Sequence, residues 1–195
     1  GIDEGPVSIG LKDQNSFFNP KFGVTYFMDK SSFFLSYAKG HKEPKRADYL
    51  ANSEVKPESL DDFELGWNYN TTNFRLKTNV YYMNYVDQLV LTGNIDDVGN
   101  PIADNIGNSY RLGLEIDAVV RFSDKFIWQP NLAVSTNKNI DKYYEFDGEL
   151  TNFGNTDLAY SPNFIAASNI RYQPIENFQI SLLSKYVGDQ YMSNI

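Results

Sequence analysis

Apolar and polar side chains alternate with a period of two through most of this chain, while helical periodicity is weak everywhere. The stretch 110–122 puts Tyr110, Leu112, Leu114, Ile116, Ala118, Val120 and Phe122 on one side. Arg111, Gly113, Glu115, Asp117, Val119 and Arg121 fall on the other. The same alternation recurs over 22–28, 33–37, 62–70, 74–84, 126–136, 164–172 and 178–186. It predicts about eight strands, and a ninth if Val7–Leu11 pairs as well. The expected fold is all-β.

The connections alternate in length. Short turns are expected at 28–32, 70–73, 123–125 and 173–177, and long polar links at about 40–59, 87–108 and 138–161. Such a chain makes an antiparallel up-and-down meander with a plain end and an elaborate end. Aromatic residues flank each short turn on the apolar side: Tyr26 and Phe33, Tyr69 and Phe74, Phe122 and Phe126, Tyr172 and Phe178. Rings at one height suit a membrane–water interface, where an apolar ring body meets headgroups.

Composition narrows the picture. Net charge is −8, which argues against nucleic acid, whose phosphates need a basic surface. There is no cysteine, so disulfide scaffolds and cysteine-ligated zinc are excluded. No apolar run reaches the length of a spanning helix, a test to which alternating barrel strands are blind. Aromatics stand at 15%.

Alternation by itself also fits a soluble sandwich or lipocalin-like barrel with its apolar face inward. Three features favour a membrane barrel: long runs, the aromatic row at the turns, and the asymmetry of turns and loops. On that reading the apolar face meets outer-membrane lipid. Arg111, Glu115, Asp117 and Arg121 then face a wet lumen. A soluble glycan- or ligand-binding β domain is the alternative, and a hydrolase using loop carboxylates is a more distant one.

Several segments carry a resemblance: "NPKFGVTYFMDKSSFFLSYAKGHKEPKRADY" (19–49), "KPESLDDFELGWNY" (56–69), "YRLGLEID" (110–117), and "SPNFIAASNIRYQP" followed by "KYVGDQYMSN" (185–194). In order and spacing they resemble the barrel of TonB-dependent outer-membrane receptors, from about residue 19 onward. The resemblance implies a sector of a large plugged barrel of the 22-stranded type. It also implies energised import of a small nutrient such as an iron chelate, and coupling to the TonB complex through a plug domain. The plug and the last barrel strands are expected to lie outside these 195 residues, which leaves two sheet edges unpaired.

Candidate ligand contacts lie in the links. The stretch "KGHKEPKR" holds the single histidine, His41, with Lys39, Lys42, Lys45 and Arg46. It is the one strongly basic cluster, read as a loop that contacts an acidic ligand or lipopolysaccharide, or as ordinary solvated charge. One histidine supports neither a catalytic triad nor a two-histidine metal site. The acidic link 140–150 presents Tyr143, Tyr144 and Phe146 for stacking on a ligand, and its carboxylates match no calcium-loop pattern. The stretch 93–108 is Gly/Asn/Asp-rich turn material and lacks the Gly-Lys-Ser/Thr of a phosphate loop. Gly66 and Gly113, on polar strand faces, are expected to relieve crowding or to admit a close neighbour such as the plug. No catalytic residue, metal or cofactor is expected.

Overall fold

The structure is a computed structural model that describes residues 15–146 and 149–192. The expected strand Val7–Leu11 lies outside these residues. One antiparallel sheet dominates. It is built from β1 (Lys21–Phe27), β2 (Ser31–Lys42), β3 (Glu58–Asn70), β4 (Phe74–Val86), β7 (Ser109–Ser123), β8 (Phe126–Asn139), β12 (Phe164–Ile175) and β13 (Phe178–Val187), in that spatial order. The intervening segments form β5 (Leu89–Ile95), β6 (Pro101–Asn105), β9 (Tyr143–Phe146), β10 (Glu149–Asn152), β11 (Thr156–Asp157) and one helix, α1 (Arg46–Ala51). β5 pairs β6, β10 pairs β9, and β11 adds to the loop end of β8. Among the described residues β1 and β13 each pair within the sheet on one side only.

The meander matches the alternation. The links differ from the expectation. The stretch 87–108 is a hairpin rather than plain turn material, and the link 138–161 carries a second short hairpin. The link expected from residue 40 starts later, because β2 continues to Lys42 and pairs Gly40 with Leu60, His41 with Ser59 and Lys42 with Glu58. Lys39, His41 and Lys42 are therefore strand residues, not loop residues. The physical reason is that alternation ends where the apolar band ends, whereas backbone pairing runs on into the polar zone above it.

Register places side chains on two faces, since directly opposed residues share a face. The outer face carries Phe22, Tyr37, Phe63 and Tyr82 in neighbouring register, with Leu35, Leu65, Val80 and Leu114 in the rows below. Leu35 is 57%, Leu65 54% and Leu182 63% exposed. A sandwich would bury this face. Here nothing among the described residues covers it, and each such side chain gains about 1.5–3 kcal/mol on leaving water. The other face carries Glu64, Lys77, Asn79, Glu115, Asp117 and Asn131.

Rings bracket the outer apolar band at both ends. At the turn end Phe33 stacks on Trp67, Trp67 touches Tyr69, Tyr69 touches Phe74, and Phe122, Phe126 and Tyr172 continue the row. A second row, missed in the sequence, lies toward the loops: Phe22 with Tyr37, Tyr37 with Phe63, Tyr82 with Tyr110, and Phe164 with Tyr186. On β4, β12 and β13 the rows stand about eight residues apart, or about 26 Å along the strand. With the usual barrel tilt of roughly 35–45° the two rows stand about 20 Å apart in height, close to the interfaces of an outer-membrane barrel, whose apolar band is about 25 Å tall with a girdle at each edge.

The two glycines on the polar face seat rings. A Cβ at Gly66 would overlap the Phe34 ring, and one at Gly113 would overlap the Tyr81 ring. Phe34 and Tyr81 are their direct cross-strand partners. Crowding between neighbouring strands accounts for both glycines without the plug.

Candidate functional site

The links fold into a layer above the loop end of the sheet, and the only apolar cluster of buried residues described lies there: Val55, Leu89 and Ala103, with Tyr49 packed against it. Pro44 precedes α1, and Asp48 in its first turn accepts the Lys45 N–H at 2.6 Å through Oδ2. Its Oδ1 accepts the Ala103 N–H of β6 at 2.7 Å. Asn52 donates to Asp104 at 3.0 Å, and the Lys56 N–H reaches Asn105 at 2.7 Å. These bonds weld the 43–57 link to the β5–β6 hairpin.

Beneath the hairpin lies a cavity of about 940 Å³. Lys42, Glu58, Tyr85 and Arg111 line it from the polar face of the sheet, Gln88, Leu89 and Asp104 from the hairpin, and Lys142, Leu158 and Tyr160 from the last link. Glu58 accepts the Leu89 N–H at 2.7 Å, and Lys42 donates to the Leu89 carbonyl at 3.5 Å. Ser109 donates to the side-chain carbonyl of the buried Gln88. Arg111 lies over the Tyr85 ring, 5.6 Å from its centroid. Tyr160 and Asp87 hold the left-handed backbone at φ 53° and 52°, a conformation uncommon outside glycine that clusters at ligand sites.

The cavity brings together two of the residues singled out in the sequence, Lys42 and Arg111, from separate strands. His41 lies on the opposite face of β2, stacked on Phe17 at 4.6 Å and 2.6 Å from the Asn19 amide oxygen. Lys39 is paired with Asp61 at 3.2 Å on that same outer face. Lys45 and Arg46 are exposed at the start of α1. Tyr143, Tyr144 and Phe146 stand on β9. Glu115 and Asp117 line a smaller recess of about 350 Å³ with Phe34, Asn68, Lys77 and Asn79. Asp117 accepts from Asn131 at 3.1 Å. Arg121 is at the turn end, 3.9 Å from Asp124. Glu58, Tyr85, Lys142 and Tyr160 were not found in the sequence. Glu58 and Tyr85 follow once their strands are extended past the apolar band, and no local pattern marks the other two.

Two comparisons agree with this architecture. The sequence matches the family described as TonB dependent receptor-like, beta-barrel, over residues 4–195. No curated protein matches it. The siderophore receptor PirA of Pseudomonas aeruginosa superposes with a TM-score of 0.65 at 15% identity, over 89% of this chain and 31% of that one. The ferric yersiniabactin uptake receptor FyuA of Yersinia pestis gives 0.62 at 19% identity, over 89% and 26%. The copper transporter OprC gives 0.59 at 14%, over 78% and 23%. The chain thus spans a third or less of the length of each, and the likeness at these identities is one of fold. TonB-dependent receptors are transporters of the Gram-negative outer membrane, not enzymes. An exposed apolar face ringed at both ends, a charged face opposite it and a sequence match over nearly the whole chain lead to one assignment: this chain belongs to the TonB-dependent receptor β-barrel family.

Proposed function

We propose that this chain is one sector of a plugged receptor barrel that imports a scarce nutrient, such as a siderophore-type iron chelate, with energy from the TonB complex. The observation that carries the reading is the pair of aromatic rows bracketing an exposed apolar band, with the charged side chains between the rows confined to the other face. That arrangement suits hydrocarbon outside and water within. The folded links would capture the nutrient in the 940 Å³ cavity beneath the β5–β6 hairpin. Arg111 stands at the loop end, Glu115 and Asp117 midway, and Arg121 at the turn end of the same strand face, so together they would line the route inward. Of the basic residues in 39–46, Lys42 is the one at the cavity and the one assigned to ligand contact.

The test is uptake by the full-length receptor that carries this chain, in an outer-membrane host deleted for its own receptors. Growth on single iron chelates under iron limitation, abolished when TonB is removed, is the expected result. Growth independent of both receptor and TonB for every chelate and for copper would overturn the reading.

A further inference from the structure

Resting on that reading, we infer that the turn end of the polar face is a docking surface for an acidic, partly apolar segment of the plug, held by Arg75, Arg121 and Arg171. Pairing sets three rows there. Arg121, Ile127 and Arg171 stand side by side on β7, β8 and β12. In the next row Arg75 faces Val119, and Gln129, Asn169 and Leu183 continue it. Above them Lys77 faces Asp117, and Lys185 closes the row on β13. The charged members of these rows are five cations and the single carboxylate of Asp117, in a chain whose net charge is −8. The band ends at mid-height, where Glu115 and Glu64 take over the same face.

Nearby carboxylates leave the arginines largely unneutralised. Among the described residues Arg75 and Arg171 make no ion pair, and neither do Asp29 and Glu176 in the adjoining turns. Arg121 meets only Asp124, at 3.9 Å, and that carboxylate is almost fully exposed. Asp117 accepts from Asn131 at 3.1 Å and makes no ion pair with Lys77 opposite. Exposed guanidinium groups on neighbouring strands suit carboxylates, which they grip through paired hydrogen bonds. The rows also carry apolar side chains. Ile127 is buried between its partners Arg121 and Arg171, Val119 lies beside Arg75, and Leu183 is 72% exposed. Apolar surface on a wall that otherwise meets water calls for a cover that a small hydrated anion does not give. Asn169 donates to Gln129 at 3.1 Å, while its own side-chain oxygen is shut off from solvent without a hydrogen-bond partner. Carboxylates for the arginines, apolar groups for Leu183 and an N–H for Asn169 come together in a polypeptide.

The experiment treats the full-length receptor in detergent with a carbodiimide, which joins a lysine amine to a carboxylate in contact with it as an amide. Mass spectrometry then identifies the linked peptides. Lys77 and Lys185 report on the unaltered protein, and Arg75→Lys, Arg121→Lys and Arg171→Lys bring an amine to the other two rows. The expected result is coupling from these positions to Asp or Glu of one plug segment. Arg121→Glu combined with Arg171→Glu should then speed amide exchange across that segment about tenfold, with exchange in β7 and β12 unaltered. Heat-modifiable migration checks that each variant is folded. Coupling confined to carboxylates of the barrel, no coupling at all, or exchange within twofold in the double variant would overturn the inference. TonB-dependent uptake by a receptor whose plug couples nowhere in these rows would leave the receptor reading standing while this inference fell.

Discussion

The buried carboxylate of Asp48 on α1 accepts the backbone N–H of Ala103 on β6 at 2.7 Å, and so ties two links of the chain into one cap over the cavity. Asp48 is 2% exposed, and its other oxygen holds the first turn of its own helix. Asp48→Ala would leave two backbone donors unpaired, at a cost of about 1–3 kcal/mol. The cost falls on the cap, because the barrel strands make their own ladder. Hydrogen exchange on the full-length receptor should show faster exchange at Ala103 and Asn105, with the melting temperature of the barrel unchanged. Unaltered protection at Ala103 would show that the bond does not hold the cap.

Gly66→Ala and Gly113→Ala are expected to destabilise the sheet by about 1–3 kcal/mol each, as overpacking does. The added methyl groups meet the Phe34 and Tyr81 rings respectively. Pairing Gly66→Ala with Phe34→Ala should recover part of the loss, and pairing it with Tyr81→Ala should not. Thermal unfolding of the single and double variants in detergent, Phe34→Ala and Tyr81→Ala alone included, measures this coupling. Additive losses in the first pair would remove the ring-seat explanation.

Leu114 and Glu115 are adjacent on β7 and point to opposite faces. Leu114→Arg puts charge in the apolar band, with an expected cost of roughly 2–4 kcal/mol for folding into bilayers. Glu115→Gln changes the polar face and should fold as the parent does. The fraction of heat-modifiable protein after refolding into lipid vesicles separates the two. Equal yields for both variants would place the lipid elsewhere.

At the tip of the β5–β6 hairpin, the Asn100 side chain and backbone, joined by the Val98 and Gly99 N–H groups, hold the Asp96 carboxyl below its ordinary value of 3.8. A lowered folded-state pKa means that ionised Asp96 stabilises the tip. That contribution is complete above the ordinary value and is lost as pH falls through the folded one. Amide protection at Val98 and Asn100 should therefore hold from neutral pH down to about 5 and weaken at more acidic pH. Asp96→Asn should remove the pH dependence. A tip that loosens instead between pH 6 and 8 would point to another group.

The sequence by itself determined the meander. A period of two over long runs fixes which residues share a face, and backbone pairing then leaves one arrangement of eight strands, legible from Phe22 to Tyr186. The row of rings at the short turns was legible for the same reason, since each pair lies close to one turn. The upper row was not, because Tyr37, Phe63 and Tyr82 become neighbours only through register between strands. Nor was the cavity. Lys42, Arg111 and Lys142 come from distant parts of the chain, and only the pairing of β2 with β3 and of β4 with β7, with the last link folded over them, sets them around one space. Alternation is a local property that survives in one dimension. The sign and shape of a site depend on contacts across the sheet, and those exist only once the strands have paired.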